Sequence, residues 1–132
     1  MAEHNDIGKI GENITVTFLE RNNFIIVERN FRTKTGEIDI IAKKDNILRF
    51  IEVKSVKVKD FTMTNALRIQ PEENLTLSKW QKLITTIKLY LDHKSISQET
   101  SYQVDLACVY INTSIKQGKV VLIENVNKEG TY

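Results

Sequence analysis

Gly36-Glu37-Ile38-Asp39-Ile40-Ile41-Ala42-Lys43-Lys44-Asp45-Asn46-Ile47-Leu48-Arg49-Phe50-Ile51-Glu52-Val53-Lys54 is the stretch on which the fold turns. Two β-rich segments, Glu37 to Ala42 and Ile47 to Val58, flank Lys43-Lys44-Asp45-Asn46, a group with turn chemistry, and so form a hairpin. If the hairpin is symmetric about Asp45 and Asn46, Lys44 opposes Ile47, Ile41 opposes Phe50 and Asp39 opposes Glu52. Directly opposed residues have Cβ atoms about 4.5 to 5.5 Å apart, and like charges so placed destabilise a sheet unless something positive lies between them. A divalent cation resolves that conflict, because hard ions such as Mg²⁺ take carboxylate oxygens and keep several waters. Lys54 follows Glu52 by two residues, hence on the same strand face, where its ammonium could orient a water or offset charge developing on a phosphate.

The same residues also fit an ordinary charge ladder on a solvated sheet face, with Lys54 opposite Glu37 as a cross-strand pair. Against that stands their setting among Ile38, Ile40, Ile41, Phe50, Ile51 and Val53, where free carboxylates are costly.

Upstream, Ile7, Ile10, Ile14 and Phe18 recur at helical spacing and predict a first helix that stops before Asn22 and Asn23. A second stripe joins Glu12, Val16 and Leu19, so Glu12 could bring a third oxygen ligand; first-turn acids are also favoured by the helix dipole alone. Phe24 to Glu28 predicts a strand, and the polar stretch through Asn30, Arg32 and Thr33 to Gly36 a loop. Downstream, residues 60–75 predict a long loop. Trp80, Leu83, Ile84, Ile87, Tyr90 and Leu91 trace a second helix, with Ser78 and Gln81 at capping-box spacing. Tyr102 to Tyr110 and Lys119 to Asn125 predict two more strands. The strand-helix-strand crossover favours parallel pairing. The fold class is therefore α/β, with three α/β/α layers around a central mixed sheet of about five strands.

At 132 residues, with one Pro and scattered Gly, the chain fits a single domain, its ends near 1–6 and 127–132 expected to be flexible. No apolar run approaches the roughly 20 residues of a membrane helix, and the start has no signal-peptide pattern, so a cytoplasmic location is expected. Cys108 lies in an apolar alternation and reads as a core residue. A net charge of +2 asks any polyanion partner to meet locally concentrated charge; Lys54, Lys57 and Lys59 cluster, as do Lys79 and Lys82, although such lysines often only solvate a surface. His4 and His93 lack convincing partner spacing, and Gly8-x-x-Gly11 lacks the strand that a dinucleotide-binding turn needs, so no nucleotide cofactor is expected.

Gly8-x-x-Gly11-Glu12, Asn30-Phe31-Arg32, Gly36-Glu37-Ile38-Asp39-Ile40-Ile41 and Phe50-Ile51-Glu52-Val53-Lys54 together resemble the YraN family. That family of small bacterial proteins is similar to archaeal Holliday junction resolvases and to the wider PD-(D/E)xK nuclease superfamily. The likeness extends through Lys79, Lys82-Leu83, Tyr90-Leu91, Val104-Asp105 and Glu124-Asn125. It implies a restriction-endonuclease-like fold in which Glu12, Asp39 and Glu52 bind Mg²⁺ or Mn²⁺, and Asp39, Glu52 and Lys54 are catalytic. Lys79 matches a helix lysine suited to phosphate, and Arg32, Lys57 and Lys82 complete the expected nucleic-acid contacts. The implied activity is endonucleolytic hydrolysis of DNA, including branched DNA, with a homodimer as the junction-resolvase arrangement. The competing expectation is a nucleic-acid-binding or adaptor module with this fold and little turnover.

Overall fold

The computed structural model describes residues 2–61 and 75–127, with side chains from Ile7 onward. The elements in chain order are α1 (Ala2–Arg21), β1 (Ile25–Thr33), β2 (Gly36–Lys44), β3 (Ile47–Lys57), α2 (Leu77–His93), β4 (Tyr102–Asn112) and β5 (Gln117–Val126). Most of the loop expected over 60–75, and the last five residues, lie outside the described residues. At the other end α1 begins at Ala2, and no Gly or Pro interrupts residues 2–7.

The sheet is mixed and its spatial order follows the sequence, β1-β2-β3-β4-β5. Neighbours pair antiparallel except β3 and β4, which run parallel across the α2 crossover. Asp45 and Asn46 turn the central hairpin with φ of 55° and 62°, the left-handed values that a two-residue turn of this hand requires. The register beyond it pairs Lys44 with Ile47 and Ile41 with Phe50, as the symmetric hairpin predicts.

The helices cover opposite faces. On one, Leu19 of α1 packs with Phe24, Ile40, Ala42, Ile51 and Ala107. On the other, Trp80, Leu83, Ile87, Tyr90 and Leu91 of α2 pack with Ile38, Ile41, Phe50 and Leu106. β4 lies between them and is buried continuously from Val104 to Asn112, as parallel strands covered on both faces are. Cys108 on this strand is fully buried, the core position its alternation suggested. Among the described residues no helix is long and apolar enough to cross a membrane.

Three local expectations are corrected. The polar stretch through Asn30, Arg32 and Thr33 is the second half of β1, pairing Phe31 with Ile38, Arg32 with Glu37 and Thr33 with Gly36. β1 is an edge strand, so its polar side chains reach water without leaving the sheet. α2 is capped by Thr76, whose Oγ1 accepts from the Lys79 amide at 3.2 Å, rather than by Ser78. The buried face of α1 runs through Gly11, Thr15 and Leu19, while Ile10 of the expected apolar stripe is 41 % exposed.

Gly11 explains that rotation of α1. A Cβ there would lie 1.8 Å from Ser55 Oγ and 2.9 Å from Ser55 Cβ, so only glycine lets the helix ride this close to β3. Gly8, one turn earlier, meets nothing within 4 Å. Thr15 Oγ1 turns back to the Gly11 carbonyl at 2.8 Å, which satisfies a hydroxyl otherwise sealed in the interface. Gly11→Ala is expected to destabilise the chain by about 1–3 kcal/mol through overpacking. Gly8→Ala should stabilise it by up to ~1 kcal/mol through helix propensity. Urea unfolding of both variants checks this; equal effects would contradict the close α1–β3 contact.

Candidate functional site

The β2–β3 ladder is regular from the turn to Ile40 and Ile51 and goes no further. The expected register is therefore correct along the ladder, but Asp39 and Glu52 stand just past its last pair rather than forming a rung of it. There Asp39 Oδ2 accepts the Val53 amide at 2.8 Å, a side-chain acceptor in place of a strand carbonyl. Phe50 packs on the α2 side and Ile51 on the α1 side, so alternation turns Glu52 and Lys54 toward α2. Both line a cleft of about 280 Å³ between the β2–β3 end and α2, with Glu37, Lys79 and Lys82 on its walls and Leu83 and Leu106 in its floor.

Burial and like charge dominate the electrostatics. Asp39 is raised to about 6, first by loss of solvent; the Val53 amide opposes the rise, and Glu12 and Glu37 add to it. Glu52 is raised to about 8 by burial, then by Asp39 and Glu37, against a lowering pull from Lys79. Glu52 thus senses the charge of Asp39, and near neutral pH the two acids resist full ionisation. Two such carboxylates suit a hard divalent cation, whose remaining positions are filled by water and substrate oxygens. Among the described residues, however, no three Asp, Glu, His or Cys side chains are grouped closely enough to hold an ion by themselves.

Glu12, the third expected acid, acts on Asp39 electrostatically, but its carboxylate is engaged elsewhere. Its Oε1 accepts from Arg29 Nη2 at 3.2 Å and from Asn30 Nδ2 at 3.1 Å. Of the expected nucleic-acid contacts, Lys79 and Lys82 line the cleft. Arg32 donates through Nε to Glu37 Oε2 at 2.7 Å and stands beside it. Lys57 falls, by alternation from Ser55, on the α1 side of β3 and away from the cleft. Glu37 therefore pairs with Arg32, not with Lys54 as a simple cross-strand ladder would have it.

Arg29 and Asn30 were not anticipated as part of this region, nor were Thr35 and Thr86. The two threonine hydroxyls bond at 2.9 Å and tie the β1–β2 turn to α2 at the cleft wall. Only Asn30 carried a sequence signal, as the start of Asn30-Phe31-Arg32.

A family model described as an uncharacterised protein family, UPF0102, matches residues 11–109, spanning Gly11 and Glu12, both acids of the hairpin, and Lys54. A UPF0102 protein of Clostridium botulinum strain Hall is 40 % identical over 120 residues, covering 91 % of this chain and 92 % of its own length. The chain belongs to the UPF0102 family. A UPF0102 protein of Campylobacter hominis is 43 % identical over 116 residues, 88 % of each chain. The UPF0102 family is YraN-like and lies in the restriction-endonuclease-like superfamily, with which the five-stranded mixed sheet between two helices agrees.

The raised acids fix a sign for stability against pH. Their folded values lie above the unfolded ones, so the native state keeps protons that the unfolded chain has lost. Their stabilising contribution is complete at low pH and is lost as pH rises through about 6 and then about 8. Glu52→Gln, which cannot ionise, should match the wild type near pH 4. By pH 9, without divalent ions, it should melt a few degrees higher, about 1 kcal/mol or more. Thermal melts across that range decide it; a pH-independent difference would contradict the buried, repelling pair.

Proposed function

We propose that the chain is a metal-dependent DNA endonuclease acting on branched or otherwise structured DNA. The observation that carries this is the convergence of Asp39 and Glu52, two largely buried and mutually repelling carboxylates, beside a cleft lined by Lys54, Lys79 and Lys82. Acids that attract a cation, next to cations that attract phosphate, form a site matched to a phosphodiester rather than to a neutral substrate.

Asp39 and Glu52 would hold Mg²⁺ or Mn²⁺, which supplies Lewis acidity toward a phosphodiester oxygen and lowers the pKa of water. The Val53 amide pins one Asp39 oxygen, so that carboxylate is oriented before any ligand arrives. Lys54 shares the Glu52 face and presents an ammonium where negative charge grows on the phosphoryl group in the transition state. Lys79 and Lys82, three residues apart on α2, hold flanking phosphates against the opposite wall. Preference for branched DNA rests on the likeness to junction resolvases.

One observation favours a second reading, a binding or adaptor module with little turnover: among the described residues no three Asp, Glu, His or Cys side chains are grouped closely enough to hold an ion by themselves. Binding of that kind weakens steeply with salt and needs no divalent ion.

Nicking of junction, flap and linear duplex DNA in Mg²⁺ or Mn²⁺ separates the two. Wild type should cut, with junction or flap preferred, and Asp39→Ala and Glu52→Ala should each lose at least about 100-fold, on the order of an electrostatic group at a reacting phosphate. Salt-sensitive binding by wild type without metal-dependent cutting would favour the adaptor and end the nuclease reading.

A further inference from the structure

Asn30 does not line the cleft, yet it lies across from Asp39, between the Arg29–Ile40 and Phe31–Ile38 pairs of β1 and β2. On β1, Glu28 reaches the α2 side, where Lys94 Nζ lies 3.2 Å from its Oε1. Phe31 is also on that side, edge-on to Tyr90 with ring centroids 5.1 Å apart. Between them Arg29 and Asn30, consecutive residues, both reach α1: Arg29 Nη2 donates to Asn13 Oδ1 at 2.7 Å and to Glu12, and Asn30 Nδ2 donates to Glu12. Adjacent strand residues share a face only where one leaves the extended backbone. Asn30 does so, with φ 55°, a conformation that Asn adopts at lower cost than most side chains.

β2 breaks at the same level. Ile38 belongs to the α2 core and Ile40 to the α1 core, although residues two apart should share a face. The pairs Arg29 with Ile40 and Phe31 with Ile38 bracket Asn30 and Asp39, so both strands lose alternation on one rung. One of the two residues freed there turns to Val53 and lies beside Glu52; the other turns to the acid of α1.

We propose that Asn30 is a positioning residue for the cation site, its amide acting with Arg29 to fix the Glu12 carboxylate on the α1 side of Asp39. This rests on the reading of Asp39 and Glu52 as cation ligands. Two donors on one oxygen restrict how the Glu12 carboxylate can rotate, while a neutral amide does so without cancelling its charge. Arg29 is steadied in turn by Asn13, the residue next to Glu12 on α1. Removal of such an outer partner typically weakens metal binding by roughly 10–100-fold.

The test is calorimetric titration of Mn²⁺ into wild type, Asn30→Gly, Asn30→Asp, Glu12→Ala, Glu52→Ala and the Asn30→Gly/Glu12→Ala double variant, with a thermal melt of each. Glycine accepts the left-handed backbone and deletes only the amide, and aspartate keeps shape and backbone tolerance while removing the donor. Folded Asn30→Gly should bind Mn²⁺ about tenfold more weakly than wild type, and the double variant no more weakly than Glu12→Ala alone. If the glycine variant fails to melt cooperatively, Asn30→Asp carries the same expectation. Wild-type affinity in either folded variant, or losses that multiply in the double variant, would overturn the role of Asn30. If Glu52→Ala still abolishes binding in that case, the cation-site reading survives. Absence of a binding heat in wild type would overturn both.

Discussion

The hydrogen bond from the Val53 amide to Asp39 Oδ2, at 2.8 Å, organises this end of the molecule. Where two strands stop pairing inside a protein, amides that would have entered the ladder need another acceptor. Here the acceptor is a carboxylate, and that choice draws an acid inward at the place where Glu52 faces α2. The result is two carboxylates in a region of low solvent access, one pushed to about 6 and the other to about 8. A sheet that continued its ladder through this rung would have kept Asp39 as an ordinary strand side chain, with no such concentration of charge.

A second charged cluster shows what a structural solution to buried charge looks like in the same fold. Asp105 is fully buried on β4, yet its carboxylate receives Gln103 Nε2 at 2.8 Å, the Asn125 amide at 2.9 Å and Arg49 Nη1 at 3.4 Å. Arg49 Nη1 also reaches Glu124 Oε1 at 2.8 Å, and its guanidinium lies over the Phe24 ring. The pairing of β4 with β5 shifts between Val104 and Leu106, which aims the Asn125 amide at Asp105. Three donors of this kind, one of them a guanidinium, satisfy the aspartate on both oxygens. Asp39 and Glu52 meet a different fate, held near each other with their charge only partly opposed, and that contrast separates a stabilising network from a site with chemistry still to do.

Much of the architecture was legible because local rules and global packing agree. Asp45-Asn46 demanded a tight turn, the turn set the register, and that register runs to Ile40 and Ile51, one residue short of Asp39 and Glu52. The apolar face of α2 from Trp80 to Leu91 was equally plain, since every member of the stripe packs on one core. What escaped was set by contacts distant in sequence or by an edge. Asn30 to Thr33 look like a loop because polar side chains on an edge strand face water as loop residues do. Thr76 caps α2 although Ser78 has the better spacing to Gln81. Glu12 reads as a free acid on a helix until β1 brings Arg29 and Asn30 against it, and no periodicity within α1 encodes that meeting. The close approach at Gly11, which rotates α1 away from its expected stripe, is likewise visible only once Ser55 is placed beneath it.

The most direct measurement is anomalous diffraction from crystals of the wild-type protein soaked in Mn²⁺. A single strong peak within bonding distance of both the Asp39 and the Glu52 carboxylates is the predicted result. An absence of density there, or a peak held by one of the two acids without the other, would contradict the account.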